Sequence, residues 1–219
     1  MAFEIKYENL NEVLDSSLRE FPNKIFVKYE DNVLTYEEFH EQVLRLANVF
    51  LSIGVKKGDY IGIQLANSIE FCVSIYACYR IGAVATPIIS LWQAREVAEV
   101  VEKAKIDTFV IKGSITAVVN KVAKMESVHN IILVGDEEYD YPNIKGKFWD
   151  LIAAAAPDDP GIEVKRADLA SCHFTAGTTG QSKGVLHDHL AYLYTGLVHL
   201  DTYSITHDDY SNLVLPMYH

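Results

Sequence analysis

Between residues 60 and 134, short unbroken apolar runs take turns with stretches of helical periodicity. The runs lie at 60–65, 83–87, 108–111 and 131–134. None shows the regular polar–apolar alternation of a half-exposed strand, so both faces must be covered. Between the first two runs, Asn67 with Glu70 opens a helix that closes near Gly82. Its Phe71, Val73, Ile75, Tyr76 and Cys78 leave it apolar nearly all round, the mark of a helix buried on several sides. Val97, Val100, Val101 and Ala104 mark a second helix. Ser114 is placed to cap a third, carrying Ile115, Val118, Val119 and Val122. Continuous apolar strands separated by helices belong to a parallel sheet. The expected fold class is α/β: a doubly wound, largely parallel sheet with helices on both faces.

The flanks add elements of other kinds. Asn9 with Glu12 resembles a capping box ahead of Leu10, Val13, Leu14, Leu18 and Phe21 at helical spacing, and Pro22 ends that run. Residues 25–30 and 33–35 flank Asp31-Asn32, which reads as a tight hairpin turn. Thr35 and Glu38 form a second capping box. Phe39, Val43, Leu46, Ala47 and Phe50 then share one helical face, and Gly54 is the stop. Residues 136–146 are acidic and turn-rich and read as a surface loop, and 148–156 as a short helix closed by Pro157. Residues 157–167, PDDPGIEVKRA, read as a linker-like loop. Beyond it come a strand at 169–175, a polar loop, a strand at 184–187, a helix capped by Asp188, and a strand at 211–215. The chain thus divides into a β/α region (1–156), the linker-like loop (157–167) and a strand–loop–strand–helix–strand segment (168–219).

Charge and cysteine content narrow the function. With 19 basic and 30 acidic side chains the net charge is −11. A nucleic-acid backbone binder would show a basic face, so that class is set aside. A local site rich in N–H groups can still hold a small anion in an acidic protein. The three cysteines, Cys72, Cys78 and Cys172, include no C-x-x-C, and free thiols in a reducing compartment are expected. The start, MAFEIKYENLNEV, has neither a basic n-region nor an apolar h-region. The most apolar stretch, residues 61–89, is broken by Glu70, Arg80 and Pro87, so no membrane span is expected. These features point to a soluble cytoplasmic protein.

The chemistry concentrates in Thr175-Ala176-Gly177-Thr178-Thr179-Gly180-Gln181-Ser182-Lys183-Gly184. Its glycines let backbone approach a ligand closely, and successive N–H groups in such a turn form an anion nest. Thr175, Thr178, Thr179 and Ser182 add hydroxyl donors, and Lys183 adds a positive charge. Polyphosphate binding calls for this set of short donors, small side chains and one cation. The spacing is not that of a Walker A loop, because Ser182 stands where that motif has its second glycine. Nor does any G-x-G occur. On residue types alone, a polar hairpin loop with a solvated lysine stays open. His187-x-His189 lacks a convincing third metal ligand, so no metal site is expected. Cys172, with no activating partner in view, reads as a packing thiol.

FTAGTTGQSKGV resembles the phosphate-binding loop of the adenylate-forming superfamily: acyl-CoA synthetases, aryl-CoA ligases, luciferases and peptide-synthetase adenylation domains. The family pattern runs [ST]-[SG]-G-[ST]-[ST]-G-x-P-K-G. The stretch LTYEEFHEQVLRLANVFLSIGVKKGDYIGIQLANSIEFCVSIYACYRIGAVATPI, the tetrapeptide ADLA before the loop's strand, and LPMYH at the end are also similar to that family. Two positions depart from the pattern: Ala176 removes a possible hydroxyl donor, and Ser182 replaces the usual proline.

The resemblance implies an ATP-dependent acyl- or aryl-CoA ligase that activates a carboxylate as its adenylate and transfers it to coenzyme A, with Mg²⁺ assisting. It implies phosphate contacts from Thr175, Ala176, Gly177, Thr178, Thr179, Gly180 and Lys183, and places His219 beside the acyl and phosphate site. It also implies that 1–219 is an incomplete N-terminal large domain without the C-terminal half and mobile C-terminal domain, inactive alone and containing no assigned catalytic residue. Rival readings are a non-catalytic nucleotide-binding or interaction module of the same fold, and an adenylating enzyme with a carrier-protein acceptor.

Overall fold

Thr35 and Glu38 close the capping box expected of them. The Thr35 hydroxyl accepts from the Glu38 N–H at 3.2 Å, and the Glu38 carboxylate accepts from the Thr35 N–H at 2.8 Å. The computed structural model, which describes residues 4–175 and 182–218, places this box at the start of helix α2 (Tyr36–Ser52). Ahead of it lie α1 (Leu10–Glu20), capped by the Asn9 side chain, and the hairpin β1 (Ile25–Tyr29) and β2 (Asn32–Thr35). The hairpin turns one residue earlier than expected. Tyr29 pairs with Asn32, so Glu30-Asp31 forms the turn, with Glu30 at φ 53°.

The main sheet is built from β3 (Tyr60–Gln64), β4 (Val84–Pro87), β5 (Thr108–Lys112), β6 (Asn130–Val134), β7 (Ile144–Lys147), β8 (Leu169–Thr175) and β9 (Lys183–Asp188). The intervening helices are α3 (Ile69–Ile81), α4 (Ala94–Ala104), α5 (Thr116–Val122) and α6 (Phe148–Ala154), and α7 (His189–Tyr203) follows β9. The strand order is β7-β6-β5-β3-β4-β8-β9. All neighbours run parallel except β8 and β9, which form an antiparallel pair. The doubly wound, largely parallel sheet is therefore present. Its first five strands follow the flavodoxin-like order, whose switch point lies between β3 and β5.

Successive strand residues feed opposite layers. Ile61, Ile63, Val110 and Ile132 pack into the layer with Phe39, Phe50 and Phe148. Phe109, Ile111, Ile131 and Leu133 pack into the layer with Val97, Val101, Val118 and Val122. Between the central strands Gly62 pairs with Phe109 across β3 and β5. A Cβ on Gly62 would lie 2.5 Å from the fully buried Phe109 ring. Gly62→Ala is expected to destabilise the protein by about 1–3 kcal/mol through overpacking, read as a lowered urea midpoint with unchanged m-value.

Several local expectations give way. Ser68, not Asn67, caps α3, accepting from the Phe71 N–H at 3.2 Å. Asn67 is drawn into a tertiary contact described below. Ser114 does not cap α5, which begins after Ile115 without a side-chain cap. The region expected to be loop at 136–146 contains the start of edge strand β7. Residues 211–215 form no strand: no described strand pairs with them, and Leu213, Val214 and Leu215 are exposed. Residues 157–167 have no regular structure, yet they are held. Asn48 Nδ2 donates to the carbonyls of Ala156 and Asp158 at 2.9 and 2.7 Å, and Asn9 Nδ2 donates to Val164 O at 2.7 Å. No described helix is long and apolar enough to cross a membrane.

Candidate functional site

The antiparallel β8–β9 pair sits at one end of the main sheet, and its ladder sets Thr175 opposite Lys183. That pair closes the base of the glycine- and threonine-rich loop, so the loop joins two strands as a hairpin. Thr175 and Lys183 are both exposed. Lys183 makes no ion pair among the described residues. Ala176, Gly177, Thr178, Thr179, Gly180, Gln181 and His219 lie outside the described residues. Gly184 lets the strands close: a Cβ there would lie 3.0 Å from Cys172 Sγ and 3.3 Å from the Phe174 ring.

A polar network lies on the other face of β8. His173 Nδ1 meets the Tyr218 carbonyl at 3.3 Å, which makes that nitrogen the protonated one. His173 Nε2 and the Tyr192 hydroxyl are hydrogen-bonded at 3.0 Å, and the Tyr192 hydroxyl and Ser171 Oγ at 2.6 Å. Asn67 holds the same tail from the other side. Its Nδ2 donates to Leu215 O at 2.9 Å, and its Oδ1 accepts from the Met217 N–H at 2.8 Å. The segment 215–218 therefore spans from the C-terminal end of β3 to the strand that launches the loop. Sequence reading missed both anchors. Asn67 had a local capping role to offer, and Tyr192 looked like packing.

The helix behind the loop starts as expected, with Asp188 Oδ1 accepting from the Ala191 N–H at 2.8 Å. His189 is fully buried against Tyr79, their rings 5.4 Å apart, and its Nδ1 accepts from the Leu10 N–H. Burial lowers its pKa to about 4, the nearby Lys57 ammonium adds to that, and the Asp168 and Asp188 carboxylates oppose it. His189 is thus neutral at neutral pH. Burial pushes the Cys172 thiol up to about 11, so it is no nucleophile. The described residues contain no group of three or more His, Cys, Asp or Glu able to hold a metal.

A second concave feature lies at the switch point. A cavity of about 440 Å³ is lined by Ala66, Asn67, Glu70, Lys112, Trp149 and the β1–β2 hairpin. In open α/β sheets this crevice is the default ligand site. Here it and the loop hairpin are bridged by the 215–218 segment.

Residues 14–219 match the AMP-binding enzyme family. The chain belongs to that family. It is 31% identical over 195 residues to the long-chain-fatty-acid–CoA ligase FadD13 of Mycobacterium tuberculosis (strain ATCC 25618 / H37Rv), covering 85% of this chain and 36% of the relative. It is 30% identical over 190 residues to the acetyl-coenzyme A synthetase of Bartonella quintana (strain Toulouse), covering 78% of this chain and 29% of the relative. The chain therefore spans about a third of the length of the curated relatives it matches. Among solved structures, a long-chain-fatty-acid-CoA ligase (FadD1) from Archaeoglobus fulgidus superposes with a TM-score of 0.87 at 22% identity, covering 100% of this chain and 44% of that one. The anthranilate CoA ligase AuaEII in complex with anthranoyl-AMP superposes with a TM-score of 0.81 at 21% identity, covering 89% and 37%. At these identities the structural likeness establishes the shared fold.

Proposed function

We propose that this chain is the N-terminal part of a larger AMP-forming ligase domain, and that the whole protein activates a carboxylate with ATP and passes the acyl group to coenzyme A. The observation that carries this reading is the hairpin closed by Thr175 and Lys183: an exposed cation and a hydroxyl at the base of a glycine- and threonine-rich loop, in a chain of the AMP-binding family. Its donors are neutral amides and hydroxyls plus one ammonium, which suits the β- and γ-phosphates of ATP. Thr175, Gly177, Thr178, Thr179, Gly180 and Lys183 would hold those phosphates while a carboxylate oxygen attacks the α-phosphorus and pyrophosphate leaves. Fixed donors aimed at the departing charge supply orientation and electrostatic stabilisation. Mg²⁺, bound through the nucleotide's phosphates, would neutralise further charge. His219, next to the anchored Tyr218, would face the acyl side, and a cytoplasmic location suits ATP and coenzyme A.

The incomplete-domain reading has support in α7. A helix this apolar around its circumference is ordinarily buried, yet Leu190, Tyr194, Leu200 and Tyr203 are exposed. The remaining length of a relative-sized protein would cover these side chains, and the 219 residues alone are expected to form no acyl-CoA.

The full natural protein should catalyse exchange of labelled pyrophosphate into ATP that depends on an added carboxylate. A panel from acetate through aryl acids to long-chain fatty acids identifies the substrate. Exchange that ignores the carboxylate, or none across the panel, contradicts the ligase reading.

A further inference from the structure

Residue 182 is serine where the family pattern has proline, and a serine offers a backbone N–H that proline lacks. The structure engages the Ser182 peptide from a distant helix. Lys103 Nζ, on α4, donates to the Ser182 carbonyl at 2.9 Å across 79 residues of sequence. The same ammonium pairs with Glu99 Oε1 at 2.9 Å, one helical turn earlier. Glu99 in turn faces the Ser182 N–H. Its carboxyl is held below the usual range first by the hydrogen bond from Lys103, with the Ser182 backbone N–H contributing as well. The carbonyl and the N–H of Ser182, which belong to the two peptide units on either side of its Cα, thus meet an i,i+4 pair. That pair stands on a rigid base, because Val97, Val100 and Val101 of α4 are fully buried.

We propose that Glu99 and Lys103 are positioning residues that clamp the backbone of Ser182 on both sides of its Cα, and so set the direction in which Lys183 leaves the phosphate loop. A proline at 182 would restrain the exit through its own ring. A serine leaves φ free, and the clamp supplies the restraint from outside. The inference rests on the loop being the phosphate site only for its effect on ATP; the hydrogen bonds stand independently of that reading.

The test uses the full natural protein in two measurements. Amide hydrogen exchange without nucleotide reads the clamp itself. In Lys103→Met and Glu99→Ala the amides of Ser182 and Lys183 should exchange roughly 3–10-fold faster, the range for a partly exposed charged hydrogen bond, while Lys103→Arg keeps the donor and stays close to wild type. Steady-state kinetics reads the positioning. Lys103→Met should raise KM for ATP by a similar factor, roughly 3–10-fold, and leave KM for the carboxylate unchanged. Adding Ser182→Pro to Lys103→Met should recover KM for ATP to within about twofold, because the ring restores the lost restraint on φ. A residue with a merely structural role would not be rescued by proline at a position 79 residues away. Unchanged exchange in both variants, faster exchange with an unchanged KM for ATP, or no recovery with proline overturns the proposal.

Discussion

Replacing Lys183 by alanine in the full natural protein is expected to lower kcat/KM for adenylate formation by roughly 10–150-fold, the kinetic equivalent of losing a charged hydrogen bond worth about 1.5–3 kcal/mol. Lys183 carries the only formal charge between residues 175 and 184. It stands exposed at the loop's exit, opposite Thr175, and is bound in no ion pair among the described residues. Nothing described competes with a phosphate for its ammonium. The loss should be confined to the first half reaction. Transfer from pre-formed acyl-adenylate to coenzyme A involves no pyrophosphate, so that step should change much less. Equal losses in both steps would point to damaged folding. No loss in either would leave Lys183 a solvated surface residue.

Acidification is expected to cost the protein stability in two pH ranges. His189 titrates near pH 4 when folded, against about 6.5 in the unfolded chain, because burial disfavours its charged form. Between those values the unfolded chain binds more protons, so protons favour unfolding. The contribution is fully present above pH 6.5 and is lost as pH falls towards 4, with a magnitude on the order of 3 kcal/mol. Asp15 acts at lower pH. Its carboxyl is drawn down to about 2 against the cost of burial, by hydrogen bonds and charge from His40 and Arg80. Its contribution is present above pH 3.8 and is lost as pH falls through 2. The check is urea unfolding of wild type and His189→Asn at pH 7.5, 6, 5 and 4. The asparagine carbonyl can still accept from the Leu10 N–H but does not titrate. The wild type should lose stability across that range and the variant much less. Parallel curves would place the acid sensitivity elsewhere.

How far the sequence revealed this molecule depended on how local each feature is. The Thr35–Glu38 box, the Asp188 cap and the apolar runs of β3, β5 and β6 are decided by residues a few positions apart, and all were legible. At the start of α3 two residues compete. Asn67 with Glu70 fits a box, yet Ser68 caps the helix because Asn67 is engaged by the tail 148 and 150 residues later. Strand β7 was hidden because Ile144-Lys145-Gly146-Lys147 has one apolar residue, and an edge strand with a single neighbour needs no more. The turn at Glu30 was misplaced because a glutamate took the left-handed conformation usually given to asparagine or glycine. At the candidate site, the loop was legible as composition and spacing. The Glu99–Lys103 contact with Ser182 and the His173–Tyr192 network were not, since each joins elements that only the tertiary fold brings together.

The central claim is that the hairpin loop, rather than the switch-point crevice, receives the nucleotide's phosphates. A crystal structure of the full natural protein with a non-hydrolysable ATP analogue and Mg²⁺ tests it directly. The expected result is the β- and γ-phosphates within hydrogen-bonding distance of the loop's backbone amides and threonine hydroxyls, with the Lys183 ammonium against them. Phosphates seated instead among Asn67, Lys112 and Trp149, with Lys183 pointing into solvent, would contradict it.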